Sequence, residues 1–87
     1  MNNVNVKVFL EDWCHTCQKV KPDLTNLESV YKNMVDWENL SVDTDGPQLQ
    51  VSSVPTVIFL KNGIEVDRMV GERPRIVYED SIKKYLL

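Results

Sequence analysis

Two cysteines, Cys14 and Cys17, stand three positions apart in Phe9-Leu-Glu-Asp-Trp-Cys-His-Thr-Cys-Gln-Lys19, where an apolar strand pattern gives way to a helical one. A thiol at a helix start meets unpaired backbone N–H groups and the positive end of the macrodipole, and both stabilise a thiolate. A second thiol one turn later can attack whatever disulfide the first one forms. The pattern therefore asks for a strand running directly into a helix and points to two-electron exchange. Two plainer readings stand beside it, a static disulfide and a metal site. These are the only cysteines in the chain, and Cys14, His15 and Cys17 are too few ligands for a tetrahedral zinc cage, so no metal is expected.

The rest of the chain supplies the elements around this junction. Val4, Val6, Val8 and Leu10 alternate with Asn5, Lys7 and Phe9, the period-2 pattern of a strand with one well-buried face. Cys17, Val20, Leu24, Leu27, Tyr31 and Met34 recur at helical spacing, predicting a helix over Cys14–Asn33 that continues through Pro22 with a kink. Val35–Val42 reads as a second strand ended by Asp43-Thr-Asp-Gly-Pro47, with at most a helical turn or two over Pro47–Val51. Strand, helix, strand makes a βαβ unit with parallel strands. Thr56–Lys61 is apolar on both faces and reads as a central strand, Asn62-Gly63 as a tight hairpin turn, and Ile64–Val70 as the returning strand. Ile76, Val77, Ile82, Tyr85 and Leu86 predict a final helix, with Pro74 tolerated in its first turn.

Size and charge limit the functions available. Eighty-seven residues make one domain, 1–87, expected to be a monomer. The net charge of −3, with cations scattered among acids, offers no surface for nucleic acid. No apolar run approaches the roughly 20 residues that span a bilayer, so no membrane role is expected. Met1-Asn-Asn-Val-Asn-Val-Lys7 lacks both a basic leader and an apolar h-region, which predicts a cytoplasmic protein. In that reducing compartment CxxC is more often catalytic than structural.

Trp13-Cys14-x-x-Cys17, Pro22 five residues later, Val54-Pro55-Thr56 before a strand, and Lys61-Asn62-Gly63 followed by Gly71 together resemble the thioredoxin superfamily over nearly the whole chain. The resemblance implies an α/β thioredoxin-like fold: a four-stranded mixed sheet in the order 2-1-3-4, its last two strands a hairpin, flanked by helices. It also implies a cis Val54–Pro55 bond beside Cys14. The chain departs from the family in three ways. It is expected to lack the additional N-terminal strand and helix of full-length thioredoxins. Val8 stands where the family buries an aspartate, and Asn39 where a lysine accompanies it. His15-Thr16 replaces the common Gly-Pro between the cysteines.

What the resemblance implies is a thiol–disulfide oxidoreductase that reduces protein disulfides and binds no cofactor beyond its own Cys14–Cys17 couple. Cys14, nearer the helix start and expected to be the more exposed, is the nucleophile; Cys17, on the buried stripe, resolves the mixed disulfide. Glu11 and Asp12 oppose ionisation of Cys14, while His15 is a solvated neighbour. Trp13 is expected to form an apolar platform for substrate, along with His15, Val54, Pro55 and Gly71, the free backbone of Val54 pairing with a substrate strand. The electron donor is a thioredoxin-reductase-like partner or glutathione. A glutaredoxin-like, glutathione-linked role is the nearer alternative, although Pro-Tyr between the cysteines and a Gly-Gly pair near Gly71 are both missing. A non-enzymatic thioredoxin-fold binding subunit is the more distant one.

Overall fold

The computed structural model describes residues 2–87. Alternating valines produce β1 (Val4–Phe9), which inserts between β2 (Asp36–Leu40), parallel to it, and β3 (Thr56–Lys61), antiparallel to it. The hairpin at Asn62-Gly63, both at positive φ, returns the chain as β4 (Ile64–Val70) and completes a four-stranded sheet in the order β2-β1-β3-β4. This is the mixed sheet and strand order that the family resemblance implies.

Each sheet face carries its own core. One face presents Val4, Val6, Val8, Val57, Phe59 and Met69 to α1 (His15–Val30) and α3 (Arg75–Leu86), which supply Val20, Leu24 and Leu27, and Tyr78 and Ile82. The other buries Phe9, Ile58 and Val51 under α2 (Val42–Leu49), with Leu40, Val54 and Leu60 packed around them. Burying a large aliphatic or aromatic side chain is worth about 1.5–3 kcal/mol, so these two clusters hold the layers together.

Three sequence expectations change. The second strand stops at Leu40 rather than Val42, and the acidic run read as its terminator is the body of α2. Ser41 is extended at the N-cap, Asp43 and Asp45 occupy the first turn where the macrodipole favours anions, and Asp45 Oδ2 accepts the Ser41 N–H at 3.2 Å. The first helix ends at Val30 rather than Asn33. The N–H groups of both Met34 and Val35 bond the Tyr31 carbonyl, and that turn leaves Met34 49% exposed while Val35 enters the core at 2%. In α3, Ile76 is 57% exposed and Tyr78, at 1%, takes the core position, because the buried stripe runs through Tyr78, Ser81 and Ile82.

Candidate active site

The strand pairing brings three loops to one end of the sheet. Phe9, the last residue of β1, pairs with Thr56, the first of β3, and Thr56 pairs with Val70, the last of β4. The segments holding Cys14, Pro55 and Gly71 therefore leave the sheet side by side. The Val54–Pro55 bond is cis, and the Pro55 carbonyl accepts the N–H of Gly71 at 2.8 Å. Gly71 has φ 95°, a left-handed conformation that glycine adopts without penalty. Thr56 Oγ1 donates to the Ser53 carbonyl at 2.8 Å and braces the same loop.

Cys14 is the N-cap of α1, and its sulfur accepts the backbone N–H of Cys17 at 3.2 Å. Thr16 Oγ1 lies 3.5 Å from the same sulfur. The two cysteines are joined as a disulfide, with Cα atoms 5.2 Å apart. Cys14 is 6% exposed and Cys17 1%. The order of exposure agrees with the expectation, but both cysteines are buried.

The other expected site residues divide by position. Trp13 is 78% exposed and stands beside the disulfide as a free apolar surface. His15 is exposed on the first turn of α1. Val54 packs sideways into the cluster of Phe9, Ile58 and Val51, an anchoring contact that the sequence did not suggest.

Glu11 has a use that the sequence reading missed. Its Oε2 accepts the N–H of Val42 at 3.0 Å and the hydroxyl of Ser41 at 3.4 Å, so the loop before Cys14 caps the start of α2. Ser41 makes no cap bond with its own side chain. The Ser41-Val-Asp-Thr-Asp45 helix start was the available signal; its partner thirty residues upstream was not. Thr16 was missed as well, since a lone threonine after a cysteine carries no pattern.

Beneath the disulfide lies a cavity of about 180 Å³ lined by Val8, Leu10, Glu11, Asp12, Cys17, Gln18, Lys21, Asn39 and Leu40. Val8 and Asn39 are cross-strand partners and border this space together. Among the described residues, no group of three or more His, Cys, Asp or Glu side chains could hold a metal ion. No described helix is long and apolar enough to cross a membrane.

Comparison with known proteins agrees with this geometry. The thioredoxin family model matches residues 2–84. A thioredoxin of Staphylococcus saprophyticus is 32% identical over 88 residues, covering 98% of this chain and 85% of that protein. The chloroplastic M-type thioredoxin of Spinacia oleracea is 33% identical over 82 residues, 90% of this chain but 45% of that protein, so the chain spans less than half of this relative's length. Among solved structures, a mutant thioredoxin from Halobacterium salinarum superposes with a TM-score of 0.87 at 26% identity, covering 99% of this chain and 77% of that one. The oxidised mitochondrial thioredoxin 3 of Saccharomyces cerevisiae gives 0.83 at 26% identity, over 97% and 80% of the two chains. With sheet order, cis proline and paired cysteines all in place, the chain belongs to the thioredoxin family, and its intrinsic Cys14–Cys17 disulfide is the redox centre of a thiol–disulfide oxidoreductase.

Proposed function

We propose that this chain reduces disulfides in partner proteins, with Cys14 as nucleophile and Cys17 as resolving thiol. The observation that carries the assignment is the N-cap position of Cys14: its sulfur already accepts the Cys17 N–H and has the Thr16 hydroxyl at 3.5 Å. In the reduced protein these donors and the start of α1 stabilise a Cys14 thiolate. That thiolate attacks a substrate sulfur, forming a mixed disulfide and expelling one substrate thiolate. Cys17 then attacks Cys14, expelling the second, and two electrons have passed from the dithiol to the substrate. Cys17 has no such approach to a bulky partner, being shut behind Cys14 and against the core.

Trp13, His15, Val54, Pro55 and Gly71 form the proposed substrate platform. The exposed indole supplies apolar area, and the Val54 backbone, which makes no backbone hydrogen bond among the described residues, supplies strand-pairing groups. The unit works as a single monomeric domain, in the cytoplasm, and is re-reduced by a thioredoxin-reductase-like partner. Incubating the Cys17→Ser variant with insulin should accumulate a covalent adduct on Cys14 that dithiothreitol releases. No adduct, or one formed equally by Cys14→Ser, refutes the roles. Insulin turnover driven by glutathione and not by a thioredoxin reductase would move the chain to the glutathione-linked class.

A further inference from the structure

The resolving step needs a proton acceptor that the residues touching the disulfide do not supply. Cys17 is 1% exposed and lies on the buried stripe of α1 with Val20, Leu24 and Leu27, an environment that favours the neutral thiol. To attack the mixed disulfide it must lose a proton. The adjacent strand offers no base, since Val8 and Asn39 face this point from β1 and β2. Solvent cannot reach the thiol from the front, because Cys14 and the bound substrate cover it.

The cavity behind Cys17 is the way out. Its volume of about 180 Å³ holds several water molecules, each needing only about 30 Å³ of liquid volume, and Asn39, Gln18, Glu11, Asp12 and Lys21 supply polar partners. The charged groups facing it are Glu11 and Asp12 from the loop after β1 and Lys21 from α1. His15 does not line it. Of the two carboxylates, Asp12 is exposed at the rim, whereas Glu11 is half-buried and held in place by the Val42 N–H and Ser41 hydroxyl on Oε2. Those bonds leave Oε1 without a partner among the described residues.

We propose that Glu11 accepts the proton of Cys17 through water in this cavity. The proposal rests on the roles assigned above. In the step, the Cys17 S–H proton passes through cavity water to the Glu11 carboxylate as the Cys17 sulfur bonds to Cys14. The Cys14–substrate S–S bond breaks, and the substrate leaves as a thiolate carrying the electron pair. Glu11 then returns the proton to bulk water past Asp12 and Lys21. Glu11 thus has two duties, capping α2 and receiving the proton.

The test is stopped-flow reaction of the reduced protein with 5,5′-dithiobis(2-nitrobenzoate), which releases one thionitrobenzoate when Cys14 is modified and a second when Cys17 resolves the adduct. Glu11→Gln keeps an acceptor for the Val42 N–H but removes the base. We expect its second phase to slow roughly tenfold or more at pH 7, less than the ~100-fold of a fully sequestered general base because water enters at the rim. The first phase is read separately, since removing a carboxylate near Cys14 favours its thiolate and can only quicken that phase. Acetate added to Glu11→Gln should restore part of the second phase. The sign decides between roles: a carboxylate acting only as a neighbouring negative charge disfavours the Cys17 thiolate, so its removal would quicken the step and overturn the proposal. An unchanged rate, or slowing by Asp12→Asn and not by Glu11→Gln, also overturns it. Should Glu11→Gln lose its helical circular dichroism, Asn39→Leu carries the test. It fills the cavity while leaving Glu11 and the α2 cap untouched; a second phase as fast as wild type refutes the route. A wild-type protein with no second phase would refute the cysteine roles themselves, an outcome distinct from these.

Discussion

Replacing Arg68 with alanine tests whether the short helix beside the active site is clamped from the edge strand. Arg68 sits on β4, and its guanidinium donates to the carbonyls at the end of α2: Nη2 to Leu49 O at 2.7 Å and Nη1 to O of the C-cap residue Gln50 at 3.0 Å. Glu65 holds the fork from the other side, at 2.8 Å to both Nε and Nη2. A charge-assisted hydrogen bond contributes about 1.5–3 kcal/mol, and the low end applies here because the side chain is 25% exposed. Water can reach both carbonyls once the guanidinium is gone, so the loss should be about 2–3 kcal/mol. A chain of this length has roughly 4–13 kcal/mol to lose. Thermal unfolding followed by circular dichroism should therefore show a Tm lower by about 10–20 °C. Glu65→Gln should cost only the ~0.2–1 kcal/mol of an exposed ion pair, since it orients the fork without touching α2. A loss for Arg68→Ala within ~0.5 kcal/mol, the size of an ordinary surface change, would refute the clamp, as would equal losses from the two variants.

Gly46→Ala should cost about 2–3 kcal/mol by the same unfolding measurement, because its Cβ would lie 2.6 Å from the Val51 carbonyl oxygen and backbone must move to admit it. The Tyr31 hydroxyl donates to Glu79 at 2.7 Å, and this bond holds the phenol above its ordinary pKa of 10.0. The stability it provides is complete below pH ~10 and is lost as pH rises through the higher folded value, so the gap between wild type and Tyr31→Phe in urea titrations should close at strongly alkaline pH. The Lys7 ammonium holds the Glu38 carboxyl below its ordinary 4.5, giving stability that is present above that pH and lost as pH falls into the acid range. Glu38 is 42% exposed, so Lys7→Met should flatten the acid limb of the stability curve by only ~0.2–1 kcal/mol.

The parts of this fold governed by short-range pattern were legible in the chain. The valine alternation of β1, the Asn62-Gly63 turn and the doubly apolar Thr56–Lys61 each follow from two or three neighbouring residues, whereas the strand order came only with the family resemblance. The cysteine pair was legible because its motif lies in a single stretch, and the cis state of Pro55 was an implication of the family resemblance. What was not legible depends on partners distant in sequence. Asp43 to Pro47 resembles a turn by composition and becomes helix only because Ser41, Glu11 and Arg68 satisfy both of its ends. Tyr78 displaces Ile76 from the core because its hydroxyl finds the Arg73 N–H at 3.2 Å, which lets a polar-tipped ring be buried. The use of Glu11 could not be read locally, since its meaning lies in Val42.

The anchoring of α2 bears on how the exchange reaction is felt by the rest of the molecule. Eight residues are too few for a helix to stand alone in water, so tertiary contacts decide whether α2 forms. Its buried face is small, and the rest of that side of the sheet is polar, with Asn5 and the Lys7–Glu38 pair on β1 and β2. The helix is therefore held chiefly at its ends, by Arg68 from the edge strand and by Glu11 from the loop that carries Cys14. The segment leaving α2, Val51 to Val54, leads straight into Pro55 on the proposed substrate platform. Glu11 and Cys14 share one loop, and the far end of α2 leads to Pro55, whose segment leaves the sheet beside that of Cys14. Hydrogen-exchange rates of the α2 amides in reduced and oxidised protein measure this linkage. Protection that differs between the two states in wild type, and no longer differs in Glu11→Ala, is the outcome the connection requires; identical protection in both states of the wild type would show that α2 is only a spacer.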